Sequence, residues 1–189
     1  GALVLRPRQP DVHGHSVTSV RVTDRAIEET TLVCFQVGIT GVPAFRLRLP
    51  KRLADARIHV PMLRQKTVTD LPDGEEVLVV LELQDMVMGE VRVLIEHDRL
   101  LTDAVQELTL PTLETGRTDR QYVAVESAGR DEVMVTADDT LEGLTPQQKE
   151  WGLVSELFQG GTCQAFLAKP DRGRPRLTFR TRPRQAVGS

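Results

Sequence analysis

The chain has 189 residues and a formal net charge of −3 at pH 7, long enough to bury a sizeable core and too acidic for a general polyanion binder. With 40% hydrophobic and 27% charged residues, it has the make-up of a folded domain and not of a disordered chain. Only 4% of the residues are aromatic, with Trp151 and Tyr122 the single Trp and Tyr, so the core is aliphatic and platforms for stacking sugars or bases are scarce. No run approaches the roughly 20 apolar residues that would span a bilayer, which argues against direct membrane insertion. The chain opens on Gly1 rather than Met and reads as a fragment excised from a longer protein.

Period-two alternation dominates. Val17, Val20 and Val22 recur between polar residues over 16–23. Val33, Phe35, Val37 and Ile39 share one face over 31–39, and Phe45, Leu47 and Leu49 alternate with Arg46 and Arg48 over 44–49. Strand patterns follow at 56–60, 76–83, 90–96, 105–110, 121–126, 132–136, 163–168 and 176–181. About eleven short strands separated by Gly, Pro and Asp predict an all-β, mainly antiparallel sandwich. Residues 77–83 and 91–95 are apolar on both faces, so they need a cover; joined across 84–89, they predict a central hairpin.

One segment departs from the strand period. Thr145-Pro146-Gln147-Gln148 carries an N-cap, a first-turn Pro and a Gln at the third position, and Trp151, Val154 and Phe158 follow at helical spacing up to Gly160-Gly161. This predicts one α-helix over 146–158; it or a neighbouring module of the parent is the candidate cover for the double-faced strands. Leu-Pro closes phrases at 49–50, 71–72 and 110–111. The similar phrases 44–50 and 105–111 are either a degenerate repeat or shared strand-stop chemistry, and the second reading is preferred. The chain is expected to be a single module, 1–189, with a possible two-part organisation, 1–112 and 113–189.

The order of phrases carries a resemblance. Thr31-Leu-Val-Cys-Phe-Gln-Val37 leads to Phe45-Arg-Leu-Arg-Leu-Pro50, then Gly89-Glu-Val-Arg-Val-Leu-Ile95, Arg120-Gln-Tyr-Val-Ala-Val125 and Leu177-Thr-Phe-Arg180. This resembles the β-rich modules of very large, uncharacterised, envelope-associated proteins of planctomycete-type bacteria. The resemblance implies an all-β module in a long extracytoplasmic chain, and it brings no catalytic residues with it.

Phosphate loops, nucleophile elbows, zinc-protease helices and paired Cys-x-x-Cys are all missing from the sequence, and nothing in it calls for a cofactor. Four candidates remain, each with a structural alternative. His13 and His15 can present two imidazoles to one face and chelate a metal, given a further ligand such as His59 or His97; otherwise they belong to an exposed polar segment. Asp138, Asp139 and Glu142 can offer oxygens to Ca²⁺, or form a solvated turn. Cys34 and Cys163 can form one long-range disulfide, or remain two buried thiols; Cys163 beside a histidine would be a nucleophile pair.

The fourth candidate is the C-terminal region, where Lys169, Arg172, Arg174, Arg176, Arg180, Arg182 and Arg184 stand against Asp171 alone, while 123–159 is strongly acidic. Arg174, Arg176, Arg180 and Arg182 can form a guanidinium ladder for anionic glycans, blunt a solvated edge, or pair with the acidic stretch. The pattern predicts a non-catalytic structural or protein-interaction module whose partners are neighbouring modules or another protein, not nucleic acid. The alternatives are a carbohydrate- or anionic-glycan-binding module using the basic ladder, and a metal-dependent enzyme domain.

Overall fold

Two strands of 25 residues organise the molecule: β2, Ala26–Pro50, and β5, Glu76–Leu100. They pair antiparallel along their whole length, with register shifts between Val37 and Ala44. Each takes in two of the predicted strands, so the hairpin expected across 84–89 does not form and that segment runs on as a single strand. Gly89 of that segment, with Gly41 and Pro43 of β2, marks an irregular bend instead. Gly41 and Gly89 have φ of 68° and 80°, a region open to glycine at little cost and typical of bulges that bend a ribbon.

The bend is sharp. The rings of Phe35 and Phe45 stack with centroids 4.3 Å apart, although a straight strand would separate them by roughly 33 Å. The β2–β5 ribbon therefore folds over on itself, laying Val33, Phe35 and Val37 onto Phe45, Leu47 and Leu49. Val77, Val79, Leu81, Val91, Val93 and Ile95 close this first core, together with Leu53 from a single 3-10 turn at Lys51–Leu53.

The computed structural model describes residues 11–156 and 162–184 and is mainly β. β1, Val12–Val22, pairs antiparallel with β2 on one side and parallel with β8, Arg117–Ser127, on the other. β11, Thr162–Ala168, and then β10, Leu141–Leu144, continue outward from β8. β3, Arg57–His59, and β4, Leu63–Asp70, pair with β5, and β7, Thr112–Leu113, pairs with β2. These nine strands are one mixed sheet.

A second, antiparallel sheet orders β6 (Val105–Thr109), β12 (Arg176–Arg182) and β9 (Glu132–Ala137). Its Leu108, Val133, Leu177 and Phe179 meet Val20, Val22, Ile27, Val123 and Val125 in a second core. A division at residue 112 would cut both sheets, since β8, β10 and β11 extend the sheet of β1 and β2 while β9 and β12 join β6. The phrases 44–50 and 105–111 sit in different sheets, as shared strand-stop chemistry permits.

The one helix among the described residues, α1, is Trp151–Ser155. It is shorter than predicted, and residues 157 and 158 lie outside the described set. The chain before it forms 3-10-type turns, with Gln148 N–H donating to Thr145 O at 3.0 Å and Trp151 N–H to Gln148 O at 3.1 Å; this tighter winding takes up the first turns expected of an α-helix. The capping signal is nevertheless realised, because Thr145 N–H donates to Gln148 Oε1 at 2.7 Å. α1 does not cover the double-faced strands. Its Val154 packs with Val17, Tyr122, Ala124 and Ala165 on the outer face of β1, β8 and β11, and Leu78, Val80 and Leu94 of β5 stay half-buried. Among the described residues no helix is long and apolar enough to cross a membrane.

Between the two cores lies a buried carboxylate. Ile27, Glu29, Thr31 and Val33 share one face of β2, and Glu29 is 3% exposed. It accepts from Arg52 Nε at 3.0 Å and Nη2 at 2.9 Å and is also bound by Arg99. Arg52 Nη2 donates onward to Thr109 O at 3.0 Å, so the pair ties the bent ribbon to the segment that enters the second sheet.

Gly116 opens β8 at φ 77°, and a Cβ there would fall 2.3 Å from Val12 O. Gly74 has a similar φ of 72° with nothing within 4 Å. Gly116→Ala is therefore expected to lower the thermal midpoint well beyond Gly74→Ala, which carries only the backbone cost of about 1 kcal/mol. Equal shifts in thermal melts of the two variants would contradict the close approach of β8 to β1.

Candidate functional site

β12 lies against β9, and its basic side chains find acids of the same chain. Arg176 Nε donates to Asp138 Oδ2 at 2.7 Å, and Arg182 Nε to Glu132 Oε2 at 3.0 Å. Arg174, on the loop before β12, binds the buried Glu76 and lies 3.7 Å from Glu75. The predicted ladder is thus engaged internally at three of its four positions. Arg180 is exposed and makes no ion pair among the described residues.

Asp138, one of the three oxygen donors considered for Ca²⁺, is committed in the same way. Hydrogen bonds from the Thr140 hydroxyl, then from Arg176 and from Thr140 N–H, lower its pKa to about 2. The carboxylate closes the turn into β10 and anchors β12.

The histidines are dispersed. His13 and His15 flank the register shift between β1 and β8. His13 Nδ1–H donates to Asp119 Oδ2 at 2.5 Å, and this bond holds the Asp119 carboxyl below its ordinary range, against the opposing effect of burial. The further ligand a metal would need is not brought to them: His59 lies 3.3 Å from Glu96 and His97 3.0 Å from Asp55. Among the described residues, no group of three or more His, Cys, Asp or Glu side chains is placed to hold a metal ion.

Cys34 and Cys163 are both free. β1 and β8 lie between their strands, a lateral separation of about 14 Å, well beyond the 7 Å that a disulfide tolerates between Cα atoms. Of the two readings of the cysteines, the disulfide is therefore not made and two free thiols remain. Burial raises the Cys34 thiol, and burial with the neighbouring Glu126 pushes Cys163 up to about 12. A thiol this reluctant to ionise is no nucleophile at neutral pH. Thiol titration of the denatured, unreduced chain should count both sulfhydryls, and the native chain at pH 8 should react far more slowly. A count near zero after denaturation would restore the disulfide.

Two neighbouring depressions lie beside some of these residues. One, of about 510 Å³, is lined by Asp119, Arg120, Gln121, Glu142, Lys169 and Asp171, among others. The other, of about 260 Å³, contains Arg48, Glu76 and Arg174 and shares Gln121, Gly173 and Pro175 with the first. Gln121 is fixed by donation from its Nε2 to Pro111 O at 2.7 Å. The sequence pattern singled out Arg174 and Glu142 here but not Asp119, which lay outside the predicted strands, nor Gln121 and Glu76, whose strand positions looked like ordinary polar alternation.

This arrangement of a bent ribbon, a nine-stranded sheet and a three-stranded sheet has a counterpart. The fold is shared with part of yeast leukotriene A4 hydrolase. The match to that enzyme, solved in complex with bestatin, has a TM-score of 0.51 at 9% identity and covers 95% of this chain but 30% of the hydrolase. The native leukotriene A4 hydrolase from Saccharomyces cerevisiae matches over 92% of this chain and 29% of its own at TM-score 0.48 and 11% identity. An M1 zinc metallopeptidase from Deinococcus radiodurans matches over 92% and 42% at TM-score 0.36 and 10% identity. No family model matches the chain, and no curated protein matches its sequence.

Proposed function

We propose that the chain is a non-catalytic β module that serves a larger protein by contact rather than by chemistry. The observation that carries this reading is the unequal coverage of the structural match: nearly all of this chain corresponds to less than a third of the yeast hydrolase. The same fold therefore exists as one portion of a longer chain. The engagement of most candidate groups within the chain supports it too, because ion-paired arginines and protonated thiols are poor starting points for catalysis. The parent we propose is a long extracytoplasmic, envelope-associated protein, and the partners are its neighbouring modules.

The test compares the chain alone with the chain joined to the polypeptide that flanks it in its reading frame, by amide hydrogen exchange. New protection on the module surface is expected in the longer form, and unchanged protection throughout would overturn the reading. Incubation with zinc followed by desalting and mass-spectrometric metal analysis should leave no stoichiometric metal. One zinc per chain, lost in a His13→Ala, His15→Ala variant, would favour the metal-dependent alternative.

A further inference from the structure

Among the described residues, the fold of the β2–β5 ribbon leaves its bend without a lateral neighbour. β1 reaches β2 only as far as Val37, and β4 reaches β5 only as far as Leu83. Three of the four methionines collect at this bend. Met86 and Met88 are 51% and 62% exposed on β5, beside Ile39 of β2 at 88%. Met62 joins them from the β3–β4 turn, 46% exposed, its carbonyl accepting Gln84 N–H at 2.8 Å. Met62 holds φ at 61°, a costly conformation for a side-chain-bearing residue. A depression of about 350 Å³ opens beside Met86, lined by Pro43, Ala44 and Leu83 and by the Arg64–Glu82 pair, Gln84 and Asp85.

Single exposed apolar residues need no explanation, but a contiguous group does. Methionine is unbranched and polarisable, which suits a surface that has to fit a partner's side chains. The surrounding charge is one-sided. Arg64 and Arg92 are taken up by Glu82 and Glu90, while Asp85 and Asp11 are exposed and make no ion pair among the described residues; Asp11 borders Ile39 through its backbone bond to Gly38 at 2.8 Å. An acidic rim around an apolar centre complements a segment of opposite design.

We propose that the bend, centred on Ile39, Met86 and Met88, docks a protein segment whose apolar side chains are flanked by lysine or arginine. The proposal rests on the reading of the chain as a contact module and says where the contact is made. An apolar side chain fills the depression beside Met86, the methionines repack around it, and Asp85 and Asp11 face the basic flanks.

The experiment selects binders to the whole chain from an unbiased displayed peptide library and measures them by fluorescence anisotropy. Selected peptides should combine an apolar centre with Lys or Arg flanks. Exchanging those flanks for Glu, or introducing Met86→Lys with Met88→Lys, should each weaken binding at least tenfold, with the variant's thermal midpoint unchanged. Peptides without basic flanks, or peptides indifferent to the double variant, would overturn the proposal. So would self-association of the chain lost in that variant, or anionic vesicles that compete for the site. The hydrogen-exchange comparison separates the two ideas: protection elsewhere than at the bend keeps the contact module and refutes this docking site, whereas no protection anywhere refutes the module.

Discussion

Glu29→Ala is expected to cost about 3–5 kcal/mol of stability, because it leaves the largely buried guanidinium groups of Arg52 and Arg99 without their carboxylate. For a chain of this size the thermal midpoint should fall by roughly 6–20 °C. Burial pushes the Glu29 carboxyl up, but hydrogen bonds and charge from Arg52 and Arg99 prevail and hold it below its ordinary value of 4.5. The stabilisation is therefore complete above that value and is lost as pH falls through the lowered one. Glu29→Gln keeps the shape and removes the charge, so in chemical denaturation it should lose most of the stability that Glu29→Ala loses and show a flatter acid limb. A change below about 1 kcal/mol in both variants would mean that the two cores are joined by packing alone.

The second large effect concerns the fold in the ribbon. Phe35 and Phe45 are both fully buried, and replacing either with Ala should cost about 3–5 kcal/mol through lost apolar contact and an unfilled cavity. The pair should also be coupled. Stacked rings contribute about 0.5–1.5 kcal/mol beyond the area they bury, so a double-mutant cycle read from urea midpoints should show an interaction of that size. Additive losses would mean that the two halves of β2 do not face each other. The cycle thus measures a contact made within a single strand, which only a folded-over ribbon allows.

Much of the core was legible in the alternation itself. Val33, Phe35 and Val37, and Phe45, Leu47 and Leu49, were placed on shared faces and are buried; Ile39, placed with the first three, is exposed because the register shifts after Val37. The sequence could not show that these faces belong to one strand that meets itself, because Gly41, Pro43 and Gly89 are the same residues a hairpin would use. Turn chemistry is local, whereas the choice between a reversal and a bulged bend is made by the pairing partner. The missing fact was that β5 lies alongside both halves of β2.

The site shows the same limit. The opposed charges of the last strand and of the stretch before the helix were visible, and Arg176–Asp138 and Arg182–Glu132 realise them. Glu29 was missed because a glutamate between Ile27 and Thr31 looks like the end of a solvated strand. Its parity with Val33 was the available signal, and only the arginines from distant segments make an inward carboxylate tolerable. The apolar bend was missed because Met86 and Met88 were read as loop residues in a hairpin that does not exist.

The parallel pairing of β1 with β8 has a consequence for biosynthesis. Val22 lies opposite Ser127, so about a hundred residues are made after the first strand before its second neighbour exists. At the usual pace of translation this takes roughly 5–20 s. During that interval β1 can form a hairpin with β2, but its other edge is an open row of hydrogen-bonding groups beside Val17, Val20 and Val22, the kind of template that recruits foreign strands. A nascent chain stalled before Ser127 would carry that edge indefinitely, so aggregation during synthesis should concentrate in C-terminal truncations that lack β8.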